Sequence, residues 1–190
     1  MKILALDSSG LVASVAVVEN DTLLAEYTVN YKKTHSQTLL PMLDEISNMT
    51  ELDLSTIDAI AVAGGPGSFT GLRIGSATAK GLGLALEKPL ISIPTTAAIA
   101  YNIWDTDKFV CPIMDARRNQ VYTGVYCYTD HRLDTVWEQD TMSIEALAEG
   151  LNCLDHEVIF LGDGVAVYRE KLEALLTIPF SFAPAHVNRQ

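Results

Sequence analysis

Two stretches of the chain, beginning at Lys2 and at Phe109, open the same series of apolar runs, and that repeated order constrains the fold more than any single motif. In the first series KILALDSS (2–9), LVASVAVVEN (11–20) and TLLAEYTVN (22–30) predict strands, and the Asn20-Asp21 turn joins the last two as a hairpin. SQTLLPMLDEISNM (36–49) predicts a helix, which Pro41 either opens or kinks. IDAIAVAG (57–64) predicts a buried strand, 70–86 a helix, PLISI (89–93) a strand and TTAAIAYNIW (95–104) a further helix. The second series has strands at 109–116, 120–128 and 133–139, then a helix at 143–151 capped by Ser143 with Glu145 and Glu149 on its polar side. A strand at 157–164, a helix at 165–176 and a strand at 180–183 complete it.

The order β-β-β-α-β-α-β therefore occurs twice, without visible identity between the halves. Hairpins followed by strand–helix–strand crossovers imply a mixed sheet with helices packed on it. Two such lobes in tandem predict an α/β protein of the duplicated architecture shared by actin-like ATPases and sugar kinases. The boundary is expected near Trp104–Lys108, where DTD interrupts the apolar pattern, giving lobes 1–105 and 106–190.

Charge narrows the function. The chain has 13 Lys and Arg against 24 Asp and Glu, a net −11, so its surface repels a phosphate backbone and does not bind nucleic acid unaided. Cys111, Cys127 and Cys153 match no metal spacing and read as buried thiols in a reducing compartment. The opening MKILALDSSG is strand-like rather than a secretory core, and no apolar run reaches the roughly 18 residues that span a bilayer. A cytoplasmic protein that does not enter membranes is expected.

The stretch Ala63–Leu86, AGGPGSFTGLRIGSATAKGLGLAL, looks at first like a phosphate loop. In G-x-G-x-x-G spacing from Gly65 the third glycine should fall at Thr70, and no glycine here precedes a lysine, so both phosphate templates fail. Gly71, Gly75, Ala79 and Gly83 instead recur every four residues on one helical stripe. Each interior glycine costs about 0.5–1 kcal/mol relative to alanine, which points to a close approach along that stripe. With Leu72, Ile74, Leu82, Leu84 and Leu86 the helix is apolar nearly all round. Two readings stay open: packing within its own lobe, or packing against another subunit, with Leu39, Leu40, Met42, Leu43 and Ile46 of the preceding helix in the same surface. Arg73 opposes the helix dipole and either makes a structural salt bridge or reaches a partner's carboxylate or an anion.

Little else carries chemistry. Asp7-Ser8-Ser9-Gly10 ends the first strand and could touch phosphates weakly or hold a hydrated ion, although turn chemistry alone selects the same residues. Asp115-Ala116-Arg117-Arg118 occupies the corresponding place in the second half, and LGDGV (161–165) is a third glycine turn in which Asp163 caps the next helix or meets a ligand. His35, His131, His156 and His186 do not pair at ligand spacing, and there is no G-x-S-x-G elbow. Neither a catalytic residue nor a metal site is expected.

LALDSSGLVASVAV, THSQTLLPMLDEI, AVAGGPGSFTGLRIGSATAKGLGLAL, SIPTTAAIA and MDARRNQVYTGVY, in that order and spacing, resemble the TsaB (YeaZ) family over essentially the whole chain. The resemblance implies the duplicated actin-like (ribonuclease H-like) fold, with a mixed five-stranded sheet and flanking helices in each lobe. It also implies a non-catalytic subunit of the bacterial complex that makes threonylcarbamoyladenosine in tRNA. Its partners would be the catalytic paralogue TsaD and the ATPase subunit TsaE, with tRNA met only through the complex and a homodimer formed in isolation. No cofactor belongs to this subunit, ATP belonging to the complex. The pairing surface would be helices 36–49 and 70–86, assigning Leu39, Leu40, Leu43, Ile46, Gly71, Leu72, Gly75, Ala79 and Gly83 to an interface. Asp7, Ser8, Ser9, Arg73 and Asp115 are candidates for weak nucleotide or anion contacts. The paralogue's His-x-x-x-His metal pair has no counterpart, since 92–102 contains no histidine, and that makes a peptidase reading doubtful. Family chains usually continue into a helix after the segment resembling FAPAHVNRQ, so a truncated or short member is expected. A free-standing actin-like ATPase or kinase using Asp7 and Asp115 is the alternative.

Overall fold

The computed structural model describes residues 1–30 and 37–188, in two compact units, Met1–Thr95 and Thr96–Gln190. Unit one contains β1 (Lys2–Asp7), β2 (Ala13–Glu19), β3 (Thr22–Val29), α1 (Leu39–Thr50), β4 (Ala59–Gly65), α2 (Phe69–Leu86) and β5 (Leu90–Pro94). Then α3 (Thr95–Ala100) leads into β6 (Phe109–Arg117), β7 (Gln120–Thr129), β8 (Arg132–Ser143), α4 (Ile144–Leu154), β9 (Val158–Leu161), α5 (Val165–Leu175) and β10 (Phe180–Phe182).

The expected β-β-β-α-β-α-β order is present in both units. Their sheets have matching orders, β3-β2-β1-β4-β5 and β8-β7-β6-β9-β10. In each, the first three strands are antiparallel and the crossover strands join in parallel, so both sheets are mixed.

Alternation decides which side chains enter the cores. In unit one Leu4 and Leu6 of β1, Val15 and Val17 of β2, and Ile60 and Val62 of β4 pack against Leu39, Met42, Leu43 and Ile46 of α1 and Ala79 of α2. The spacing 39, 42, 43, 46 is one helical face, which is why α1 lies flat on the sheet. Pro41 is the third residue of α1, within the first turn, where its missing N–H leaves no bond unmade. Ser36, at the start of the expected helix, lies outside the described residues.

The second sheet is covered on both faces. Cys111, Ile113, Val121, Val125 and Phe160 meet α4 and α5, whereas Val110, Met114, Tyr126 and Leu161 meet Ile99 and Ala100 of α3. That packing moves the boundary from the expected Trp104–Lys108 to Thr95/Thr96, because α3 contributes its apolar side chains to the second core. The helix expected to reach 104 stops at Ala100, after which Asn102 and Ile103 bond three residues back rather than four. Cys111 is fully buried as expected, but Cys127 is half-buried and Cys153, in the last turn of α4, is exposed.

Candidate partner interface

The glycine-rich segment begins where β4 ends. Gly65 takes a left-handed φ of +108°, the Gly65–Pro66 bond is cis, and Ser68 caps α2 by accepting the N–H of Gly71. The turn after β1 packs directly on this loop: the Ser68 N–H donates to the Ser9 carbonyl at 2.6 Å, and Ser8 Oγ donates to the Gly71 carbonyl at 2.9 Å. A Cβ on Gly67 would run into the Ser9 carbonyl and one on Gly71 into the Ser8 carbonyl. A Cβ on Gly75 would sit 2.5 Å from Ser8 Oγ and 3.6 Å from Val62, and one on Gly83 would sit 2.8 Å from Leu90.

The close approach expected from the glycines is therefore present, but its object is the sheet of the same unit. Gly71, Gly75, Ala79 and Gly83 are buried there, and Leu72 is partly covered at the Gly65 bend. Leu39, Leu43 and Ile46 are equally committed to the core, at 1–4 % exposure. Of the nine residues assigned to an interface by the resemblance, Leu40 stands clear, at 53 % exposure. The others are covered because small and apolar residues on opposite sides of one helix look alike in the sequence.

What α2 turns outward is the face half a turn away. Phe69, Arg73, Ala77, Lys80, Gly81 and Leu84 are exposed, with Leu84 at 84 %, and a Cβ on Gly81 would meet nothing within 4 Å. The outward side of α1 carries Leu40, Asp44, Glu45 and Met49, the last at 78 % exposure. The spacing 69, 73, 77, 81, 84 was available as a signal in the sequence, but the more conspicuous glycine stripe hid it.

The candidate anion contacts are mostly occupied within the chain. Asp7 Oδ1 accepts both the N–H and the hydroxyl of Ser9, each at 2.7 Å, while Ser8 and Ser9 are buried. Among the described residues Arg73 has no carboxylate within ion-pair distance, and its guanidinium lies 3.9 Å over the ring of Phe69, one turn earlier. In the second unit Asp115 accepts the Arg117 N–H at 2.8 Å and the Tyr168 hydroxyl at 3.1 Å, and its own N–H donates to Asp163 Oδ1 at 3.2 Å. Burial first, and then the Asp115 charge, hold the Asp163 carboxyl above its usual range against backbone N–H bonds that favour its charged form. Asp163 thus braces the β6 turn. His131 pairs with Asp105 at 2.6 Å, His156 stacks on Phe109, and His35 lies outside the described residues. Among the described residues no three His, Cys, Asp or Glu side chains gather as a metal-binding group.

Two units of one topology, the first presenting a small and apolar helix face, define a duplicated actin-like α/β protein. Ethanolamine utilization protein EutJ from Carboxydothermus hydrogenoformans (TM-score 0.56, 12% identity) and a ROK hexokinase from Thermus thermophilus (0.54, 14%) share this fold over 99% of the chain. A YeaZ structure from Pseudomonas aeruginosa matches more closely, with TM-score 0.82 and 28% identity over 99% of this chain and 86% of that one. The family model described as TsaD, tRNA N6-adenosine threonylcarbamoyltransferase, matches residues 22–188. The tRNA threonylcarbamoyladenosine biosynthesis protein TsaB of Bacillus subtilis is 35% identical over 93% of this chain and 77% of its own length. Its Escherichia coli counterpart is 32% identical over 86% and 72%. The chain belongs to the TsaB (YeaZ) family.

Proposed function

We propose that this chain is a non-catalytic subunit of a tRNA threonylcarbamoyladenosine-forming complex, pairing with a catalytic TsaD-type paralogue through the outward faces of α1 and α2. The observation that carries the reading is the outer face of α2, where Ala77, Gly81 and Leu84 offer a smooth surface to a neighbouring helix. Small residues there let two helix axes approach closely, and apolar area gains from being covered. Arg73 and Lys80 on α2 beside Asp44 and Glu45 on α1 complement each other if a second copy docks with α2 on α1, which supports a homodimer when the paralogue is absent.

A scaffold role also accords with the side chains. Segment 92–102 holds no histidine, and the carboxylates Asp7 and Asp115 accept bonds from their own turns. ATP belongs to the complex, through a TsaE-type subunit, and the surface of net charge −11 meets tRNA only alongside its partners. A role in tRNA modification supports the reading of a cytoplasmic protein. No helix among the described residues is long and apolar enough to cross a membrane.

Reconstitution tests the reading. Mixed with a TsaD-type paralogue, the chain should shift to the mass of a heteromeric complex in light scattering, and omitting it from the full modification assay should abolish product. Undiminished product without this chain overturns the proposal. ATP turnover by the isolated chain that is lost in Asp7→Ala would favour a free-standing ATPase instead.

A further inference from the structure

The β6–β7 hairpin departs from the chemistry of the other hairpins in this chain. Its turn holds three consecutive residues at positive φ: Arg117 (64°), Arg118 (52°) and Asn119 (62°). Left-handed positions favour Asn, Asp and His, whose short polar side chains tolerate the conformation, or Gly. The other hairpins obey this preference, with Asn20 between β2 and β3, and Asp130 and His131 between β7 and β8. Arg117 and Arg118 are the exceptions, holding a strained conformation that a smaller residue would relieve.

Both arginines are exposed. Among the described residues neither guanidinium has a carboxylate within ion-pair distance. The nearby acids are engaged: Asp115 by the Arg117 N–H and Tyr168, Asp163 by the Asp115 N–H, and Glu145 by Asn119 and Lys171. On a chain of net charge −11, this leaves a turn presenting two exposed forked cations at successive positions. A guanidinium pair of that kind suits the phosphate oxygens of a nucleic acid.

We infer that Arg117 and Arg118 form a phosphate-binding turn that contacts the RNA substrate within the assembled complex. The inference rests on the proposed function, since the acidic chain alone does not hold RNA. The two arginines supply positioning contacts to the backbone, and sequence is read elsewhere.

The test is titration of an unmodified tRNA transcript, carrying adenosine just 3′ of the anticodon, with this chain and a TsaD-type paralogue across a series of salt concentrations. In Arg117→Gly/Arg118→Gly the slope of log affinity against log salt should fall by about 0.7–0.9 for each phosphate contact removed. The melting midpoint should hold or rise, because glycine accepts the left-handed backbone. Arg132→Gln, which removes one positive charge from the far end of β7, should leave the slope unchanged. An unchanged slope in the double variant overturns the inference. So does an equal drop in Arg132→Gln, which would mean that only overall charge matters, or loss of the paralogue by light scattering, which would make the turn a protein contact. If the wild-type mixture neither assembles nor binds tRNA, the functional proposal fails, and this inference falls with it.

Discussion

At Gly75 the helix comes so near Ser8 that even a methyl group would need the hydroxyl to shift, since a Cβ would lie 2.5 Å from Ser8 Oγ. Gly75→Leu should therefore destabilise the first unit by roughly 1–3 kcal/mol or more through overpacking, read by urea denaturation. A midpoint equal to wild type would show that the contact gives way easily. Cys111 makes a second residue-scale case. Burial pushes its thiol up from 9.0 to about 12, opposed by a bond with the Thr123 hydroxyl. The unfolded chain ionises first, so this contribution to stability is complete below pH 9 and is lost as the pH rises towards 12. Alkaline denaturation should therefore begin above pH 9 and be delayed in Cys111→Ala, compared with its own neutral-pH stability. In native protein at pH 8 a thiol reagent should label exposed Cys153 and spare Cys111.

At the scale of one helix, α2 sorts its small residues by the face they occupy. The inner stripe buys a close fit against the sheet, whereas Gly81 faces open space and pays the helix penalty without an intramolecular contact. Gly81→Ala should stabilise the isolated chain by about 0.5–1 kcal/mol, measured by thermal unfolding. Leu84→Asp should leave unfolding close to wild type and abolish assembly with the paralogue by light scattering, because Leu84 is 84 % exposed in the chain alone. The existence of α2 was legible from its period, and so was the close approach along 71, 75, 79 and 83. Which stripe faced inward was not, because the helix is apolar nearly all round and periodicity distinguishes faces only by contrast. The stacking of Arg73 on the ring of Phe69 was not legible either, because a cation over an aromatic face leaves no charge pattern in a sequence.

Over the whole molecule the acidic balance sets what the chain does alone. The isolated protein should not retain tRNA in filter binding at 0.15 M salt, and retention would contradict the dependence on partners argued from net charge −11. The element order, the hairpins and the mixed character of both sheets could all be read from the sequence. They depend on side-chain alternation and turn residues, interactions that reach only a few positions along the chain. The tertiary structure decided what needed distant residues: that α3 joins the second core, that Ser8 meets Gly71 across 63 positions, and which face of α2 remains uncovered. Short-range periodicity determines that a helix forms and which residues share a stripe. Only the packing of segments remote in sequence determines which stripe is buried and which is left for a partner.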